Sequence, residues 1–299
     1  MFMNESSAYL VPDFPALCRF AGADGLPHLG WWDGSNVLDL ATSGVAWTGS
    51  LTEILAATTP IASLVQQVSG SAGAHDLSEI ALLAPIDGQE VWAAGVTYER
   101  SRDAREQESE SASDLYARVY NAERPELFFK ADARRCAGPE GAIKVRPDAR
   151  WTVPEPELTL VIDASLQIRG FTIGNDVSSR DIEGENPLYL PQAKVYEGAC
   201  ALGPWIVPAE SIGDPYALRI ACSIARDGVI VWQDETNTRQ LHRELDELVS
   251  YLGRSNSFPA GAFLLTGTCL VPPDSLSLQS GDRVEISIAG LGTLRNVVG

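Results

Sequence analysis

Two glutamates point to the chemistry this chain can do. Glu155 and Glu157 are separated by one residue at the head of the apolar run PEPELTLVID. In an extended strand, residues i and i+2 project from the same face, so both carboxylates aim at one point. Unpaired, they repel and one takes up a proton. A hard divalent cation removes that conflict, and Mg2+ favours carboxylate oxygens while leaving positions to water or substrate. Taken alone, the pair also reads as a solvated strand edge. Further on, GFTIGNDVSSRDIEGEN sets Asp176 and Asp181 around a polar turn that follows a second apolar run. Asp176 is the candidate third ligand. Three carboxylates with no thiolate and no nearby imidazole favour Mg2+, or Mn2+, over Zn2+. The whole chain holds only His28, His75 and His242.

Other residues can serve such a centre. Lys194, in LPQAKVYEG, follows the acidic turn in an otherwise apolar and small segment. It reads either as an ion-pair partner or as a cation that stabilises developing enolate charge and moves a proton. RPELFFKA puts Glu126 and Lys130 on either side of an apolar triplet, and LLTGTCLVP places Gly267 and Thr268 in a tight turn after a strand. That turn reads either as a plain β-turn or as one presenting N–H groups and a hydroxyl to an anion.

The elements that must position these groups are mostly strands. ELFFK, LTLVID, IRGFTIG, LRIACSIA, GVIVWQ and VEISIAG are apolar or alternating runs between turn residues. One amphipathic helix is predicted over 241–254, with Leu241, Leu245, Leu248, Val249 and Leu252 at helical spacing. Ahead of them, residues 14–42 read as short strands. Residues 50–69 read as one or two short helices broken at Pro60. We place a small N-terminal unit at 1–85 and the main unit at 86–299. Within the latter, 99–123 is the most polar window; it reads as a solvated helix face or as a lid over the site.

Composition narrows the partners. The 299 residues carry 22 Lys+Arg against 40 Asp+Glu, a net charge of −18, which repels phosphate backbones and argues against nucleic acid. No apolar run reaches the roughly 18–20 residues of a membrane span. The first residues, MFMNESSAYLVPDF, lack a basic segment ahead of an apolar one, so no secretory signal is expected and the cytoplasm is the expected compartment. Five cysteines lie far apart with no CxxC pair, and are expected to be reduced and mostly buried.

In combination and in order, GVTY (95–98), FFKA (128–131), EPELTLVID, NDVSSRD (175–181), QAK (192–194), GP (203–204) and TGT (266–268) resemble the fumarylacetoacetate hydrolase superfamily over nearly all of 88–299. The resemblance implies an α+β, β-rich mixed sandwich or roll with a small N-terminal α/β unit. It implies Mg2+ on Glu155, Glu157 and Asp176, with Lys194 beside the metal. Thr268 would touch substrate, with Lys130 and Arg180 as further substrate contacts. A homodimer or homotetramer acting on a small 2-keto acid is expected.

Superfamily members that cleave C–C bonds place a His shortly after the turn that here reads Gly95-Val96-Thr97-Tyr98. This chain has Ser101 at the corresponding place, and none of its three histidines lies in that segment. A hydrolase would lack its general base, worth about 10²–10⁴-fold. The segments EVWAAGVTYERSRDAREQ and EGENPLYLPQAKVY are similar to the superfamily's dehydratases of 2-keto-3-deoxy sugar acids. The expected reaction is therefore loss of water from a 2-keto-3-deoxy pentonate to give 2,5-dioxopentanoate, with Glu126 and Lys194 as acid/base candidates. Alternatives are a C–C hydrolase of 2,4-diketo acids and a silent metal-binding protein on the same scaffold.

Overall fold

A computed structural model of the protein describes residues 11–98 and 118–299. The chain opens with strands β1 (Ala16–Ala21), β2 (Pro27–Trp32) and β3 (Val37–Asp39). Two short helices follow, α1 (Leu51–Ala56) and α2 (Ile61–Gln66), with Pro60 capping the second, as its missing N–H and fixed φ allow. Strands β4 (Gly73–His75), β5 (Ala81–Leu83), β6 (Glu90–Gly95) and β7 (Glu126–Asp132) come next. Three short strands, β8 (Cys136–Ala137), β9 (Ala142–Ile143) and β10 (Thr152–Val153), lead into the long pair β11 (Pro156–Ile162) and β12 (Ile168–Asp176). After β13 (Ser178–Ser179) come helices α3 (Arg180–Glu185) and α4 (Leu190–Lys194), then β14 (Cys200–Pro208). The hairpin β15 (Arg219–Arg226) and β16 (Val229–Asn237), helix α5 (Leu245–Leu252), and β17 (Ala262–Leu265), β18 (Arg283–Ile288) and β19 (Gly292–Val298) complete the chain.

A 12-stranded sheet runs β4-β3-β2-β1-β14-β12-β11-β17-β6-β7, with β5 on β1 and β8 on β14. A 5-stranded sheet runs β16-β15-β18-β19-β9. Side chains of a strand alternate between faces, and the large sheet uses both. Leu158, Leu160, Ile162, Ile173, Trp205 and Val207 pack toward Ile220, Ile224, Val284 and Ile286 of the smaller sheet. Val161, Leu202, Ile206 and Leu265 pack on the other face, under Leu51, Ile54, Ile61 and Val65 of α1 and α2. The result is the β-rich α+β architecture anticipated.

The large sheet crosses residue 85 without a break, because Leu17 and Cys18 of β1 pair with Ile206 and Trp205 of β14. Helix α5 is shorter than the predicted 241–254. Leu241 instead bridges to Tyr98, and the His242 N–H donates to the Thr97 carbonyl at 2.9 Å, so the first predicted turn is held as extended chain. The polar window 99–123 lies, through residue 117, outside the described residues. Residues 118–121 end in a helical turn, and the carbonyls of Val119, Ala122 and Glu123 accept from the buried Arg243 guanidinium. Among the described residues no helix is long and apolar enough to cross a membrane.

Candidate metal and active site

The acidic centre sits where β11 begins and β12 ends. The antiparallel register sets Pro156 opposite Asn175 and Glu157 opposite Gly174. One step further the Asp176 N–H donates to the Glu155 carbonyl at 3.0 Å. Glu155 and Asp176 are thereby cross-strand neighbours, and Glu157 projects on the same face two residues along. Gly174 is required beside them, because Thr159 and Leu265 fill the space over it: a Cβ there would lie 2.3 Å from Thr159 Oγ1 and 2.5 Å from Leu265 Cδ2. One carboxylate oxygen from each of Glu155, Glu157 and Asp176 falls within 4.8 Å of the others, and all three residues are buried.

Cations close on the acids from the neighbouring elements. Lys194, at the end of α4, donates to Glu155 Oε2 at 2.9 Å, to Asp176 Oδ2 at 3.0 Å and to Ser178 Oγ. Arg180 Nε donates to Glu155 Oε1 at 3.0 Å. Lys130, on β7, pairs with Asp176 Oδ1 and donates to the carbonyls of Val177 at 3.0 Å and Lys194 at 2.6 Å. Glu157 differs: its Oε2 accepts from the Gly267 N–H at 2.6 Å, and among the described residues no cation comes within ion-pair distance of it. Burial pushes the Glu157 carboxyl well above the usual carboxylate range, and the charges of Asp176 and Glu155 push it the same way. Lys194 and the Gly267 N–H oppose them. A carboxylate buried without a cation is costly unless it is protonated or an ion is bound. Three convergent hard oxygen donors, one lacking a cationic partner, fit a divalent metal such as Mg2+.

Beside the acids is a pocket lined by Glu126, Phe128, Glu155, Asp176, Lys194 and Thr268, among others. Glu126, Phe128 and Lys130 alternate along β7 and so share a face. Glu126 rests on Gly95, its register partner, where a Cβ would meet Glu126 Oε2 at 2.2 Å. The structure thus brings Glu126, Lys194, Thr268 and two of the acids to one pocket. Lys130 and Arg180, expected as substrate contacts, are instead fully buried against the acids and are not among the lining residues. The turn at 266–268 departs in a similar way. Its Gly267 N–H is directed at Glu157 rather than at an open anion site, and Thr266 is tied to β11 through the Leu158 carbonyl. Asp181 accepts from the Arg150 N–H at 2.7 Å. Glu183 on α3 also lines the pocket and escaped the sequence reading; its spacing of three from Arg180 on one helix was the available signal.

The family model for the fumarylacetoacetate (FAA) hydrolase C-terminal domain matches residues 90–299. The chain belongs to the fumarylacetoacetate hydrolase family. Among curated members of that family, it is 54% identical over 214 residues to the probable 2-keto-3-deoxyxylonate dehydratase of Haloferax volcanii, covering 72% of this chain and 73% of that protein. It is 45% identical over 221 residues to the 2-dehydro-3-deoxy-D-arabinonate dehydratase of Saccharolobus solfataricus, covering 73% and 74%. Among solved structures of the family it is similar to 2-keto-3-deoxy-D-arabinonate dehydratase complexed with magnesium and 2,5-dioxopentanoate. That match has a TM-score of 0.80 at 36% identity, over 94% of this chain and 98% of that one.

Proposed function

We propose that this chain is a Mg2+-dependent hydro-lyase that converts a 2-keto-3-deoxy pentonate to 2,5-dioxopentanoate and water. One observation carries it: a buried Glu155–Glu157–Asp176 cluster opens on a pocket that also holds a lysine and a further carboxyl, Lys194 and Glu126. The two curated relatives above are named as dehydratases of such acids, and the solved neighbour was captured with magnesium and 2,5-dioxopentanoate.

Glu155, Glu157 and Asp176 are assigned to the metal. When bound, Mg2+ supplies Lewis acidity that lowers the cost of negative charge on a 2-keto acid. The rest is done by side chains. Lys194 holds a positive charge at the pocket wall, where it stabilises the charge that develops as C3 loses a proton. Glu126, resting on Gly95, is assigned to proton transfer, and Thr268 to substrate contact. Lys130 and Arg180 hold Asp176 and Glu155 in place from outside the pocket. Loss of the C3 proton and the C4 hydroxyl leaves a C3–C4 alkene. Moving a proton from C5 to C3 makes the C4–C5 enol, which becomes the C5 aldehyde.

Residues 86–299 are assigned as the catalytic unit, with 1–85 as the smaller unit. None of the five cysteines is in a disulfide, which supports a reducing compartment that we take as the cytoplasm. Exposed Val229, Ile230 and Val231 on the edge strand β16 support assembly as a homodimer or homotetramer. The test is incubation with a panel of 2-keto-3-deoxy pentonates and hexonates, with product read by a semialdehyde dehydrogenase couple. Turnover of a pentonate that EDTA abolishes and Mg2+ restores is the expected result. No semialdehyde from any of these acids would overturn the reading.

A further inference from the structure

Elimination across C3 and C4 needs a base at one carbon and an acid at the next, and Lys194 is poorly placed to be either. Its ammonium has three donors and no acceptor, and it donates to Glu155, Asp176 and Ser178. The three metal-site carboxylates are assigned to the ion. Among the described residues lining the pocket, the carboxyls outside that set are Glu126 and Glu183. They come from different elements, β7 and α3. Glu126 is half-buried, whereas Glu183 is only 5% exposed, so Glu183 is the carboxyl of the two more shielded from bulk water.

We infer that Glu183 is a second catalytic carboxyl of this pocket, the acid that protonates the departing C4 hydroxyl while Glu126 takes the C3 proton. The inference rests on the dehydratase reading above. The proton count closes on these two residues. Glu126 carboxylate accepts the C3 proton, and Glu183 gives its proton to the hydroxyl, which leaves as water with the C4–O electron pair. Glu183, now a carboxylate, takes a proton from C5, and Glu126 returns its proton to C3. The C4–C5 enol results, both carboxyls are restored, and no oxidant or co-reactant is required. Metal-site residues and Lys194 neither gain nor lose a proton in this scheme.

The test separates the two proton transfers. Wild type, Glu183→Gln, Glu183→Asp and Glu126→Gln are incubated with Mg2+ and 2-keto-3-deoxy pentonate in D2O. Semialdehyde formation and deuterium uptake at C3 of the remaining substrate are followed by proton NMR, and calorimetry checks Mg2+ binding. Glu183→Gln is expected to lose about 10²–10⁴-fold in dehydration while still exchanging C3 hydrogen. Glu126→Gln is expected to lose both. Glu183→Asp, which keeps an acid, is expected to dehydrate faster than Glu183→Gln. Dehydration by Glu183→Gln within tenfold of wild type would overturn the assignment, as would loss of C3 exchange together with dehydration, or equal losses in the Asp and Gln variants. Absence of semialdehyde from wild type would instead remove the reaction itself, so the two failures are distinguishable.

Discussion

Glu155 and Asp176 face each other where β11 meets β12, and Lys194 bridges them, 2.9 Å from Glu155 Oε2 and 3.0 Å from Asp176 Oδ2. A backbone hydrogen bond between the same two residues, Asp176 N–H to Glu155 carbonyl, holds the carboxylates in register. Arg180 and Lys130 also contribute, so three cations pair with these two carboxylates. Glu157 lies outside that pairing.

The asymmetry gives a first prediction. Alanine at Glu155, Glu157 or Asp176 is expected to abolish Mg2+-dependent turnover in each case, but the stability costs should differ. Glu155→Ala and Asp176→Ala each take one carboxylate away from two buried cations, Lys194 with Arg180 in the first case and Lys194 with Lys130 in the second, at a cost of about 3–5 kcal/mol. Glu157→Ala removes a carboxyl whose one hydrogen-bond donor among the described residues is the Gly267 N–H, leaving that donor unsatisfied at about 1–3 kcal/mol. Urea unfolding without Mg2+ gives the order, and calorimetric titration gives the lost metal binding. Full activity with metal still bound would remove a residue from the ligand set.

A second prediction concerns the turn after β17. Gly267 has φ +92°, and a Cβ there would lie 1.9 Å from Thr97 Oγ1. Thr97 cannot easily yield, since its hydroxyl donates to the Thr266 carbonyl at 2.6 Å. Gly267→Ala therefore combines a left-handed conformation with a clash, and we expect it to cost about 1–3 kcal/mol. Because the Gly267 N–H holds Glu157, Mg2+ affinity should fall in the same variant. Unchanged affinity would show that Glu157 is placed without this turn.

A third prediction is a pH dependence outside the active site. His28 Nδ1 lies 2.8 Å from Asp39 Oδ2 and Nε2 lies 3.2 Å from Asp24, while His75 Nε2 lies 3.6 Å from Asp39. Phe20 packs against both imidazoles. The hydrogen bond to Asp39 raises the His28 pKa above its ordinary value of 6.5, burial opposes it, and Asp24 adds to the rise. A raised histidine pKa means that the folded state binds the proton more tightly than the unfolded state. Its stabilisation is complete below 6.5 and is lost as pH rises through the higher folded value. The apparent Tm should therefore fall through this group as pH rises above 6.5. His28→Gln should flatten that slope. An equal slope in the variant would place the dependence elsewhere.

The sequence made the acids legible because strand periodicity is local: an E-x-E spacing puts two carboxylates on one face whatever lies around them. Lys194 and Glu126 were legible by residue type and neighbourhood. The pairing of Lys130 with Asp176 and of Arg180 with Glu155 was not, because a side chain's direction relative to a distant strand leaves no mark on its own segment. For the same reason the Gly267 N–H looked available to a ligand until Glu157, on another strand, was found to accept from it. Strand β14 carries no alternating pattern, since ALGPWIVP is buried on both faces, so the join between the N-terminal strands and the catalytic sheet through Leu17 and Cys18 could not be read in advance.

The final prediction separates elimination from hydrolysis. Water attack on a 2,4-diketo acid needs a general base near the substrate, and the superfamily's hydrolases place a His after the turn corresponding to Gly95-Val96-Thr97-Tyr98. Ser101 holds that place here, outside the described residues. The chain's three histidines are committed elsewhere: His28 and His75 surround Asp39, and His242 stacks on Tyr120 with ring centroids 4.3 Å apart. Dehydration needs no attacking water, only carboxyls and a cation at the pocket, which Glu126, Glu183 and Lys194 supply. We expect the wild type with Mg2+ to form 2,5-dioxopentanoate from a 2-keto-3-deoxy pentonate. We expect acylpyruvate cleavage to be slower by at least about 10²-fold, the value of one positioned base. Pyruvate release by a lactate dehydrogenase couple, run beside the semialdehyde assay, measures both. Fast pyruvate release with no semialdehyde would leave the metal centre and the fold standing and make the chain a hydrolase whose base lies in a residue other than histidine.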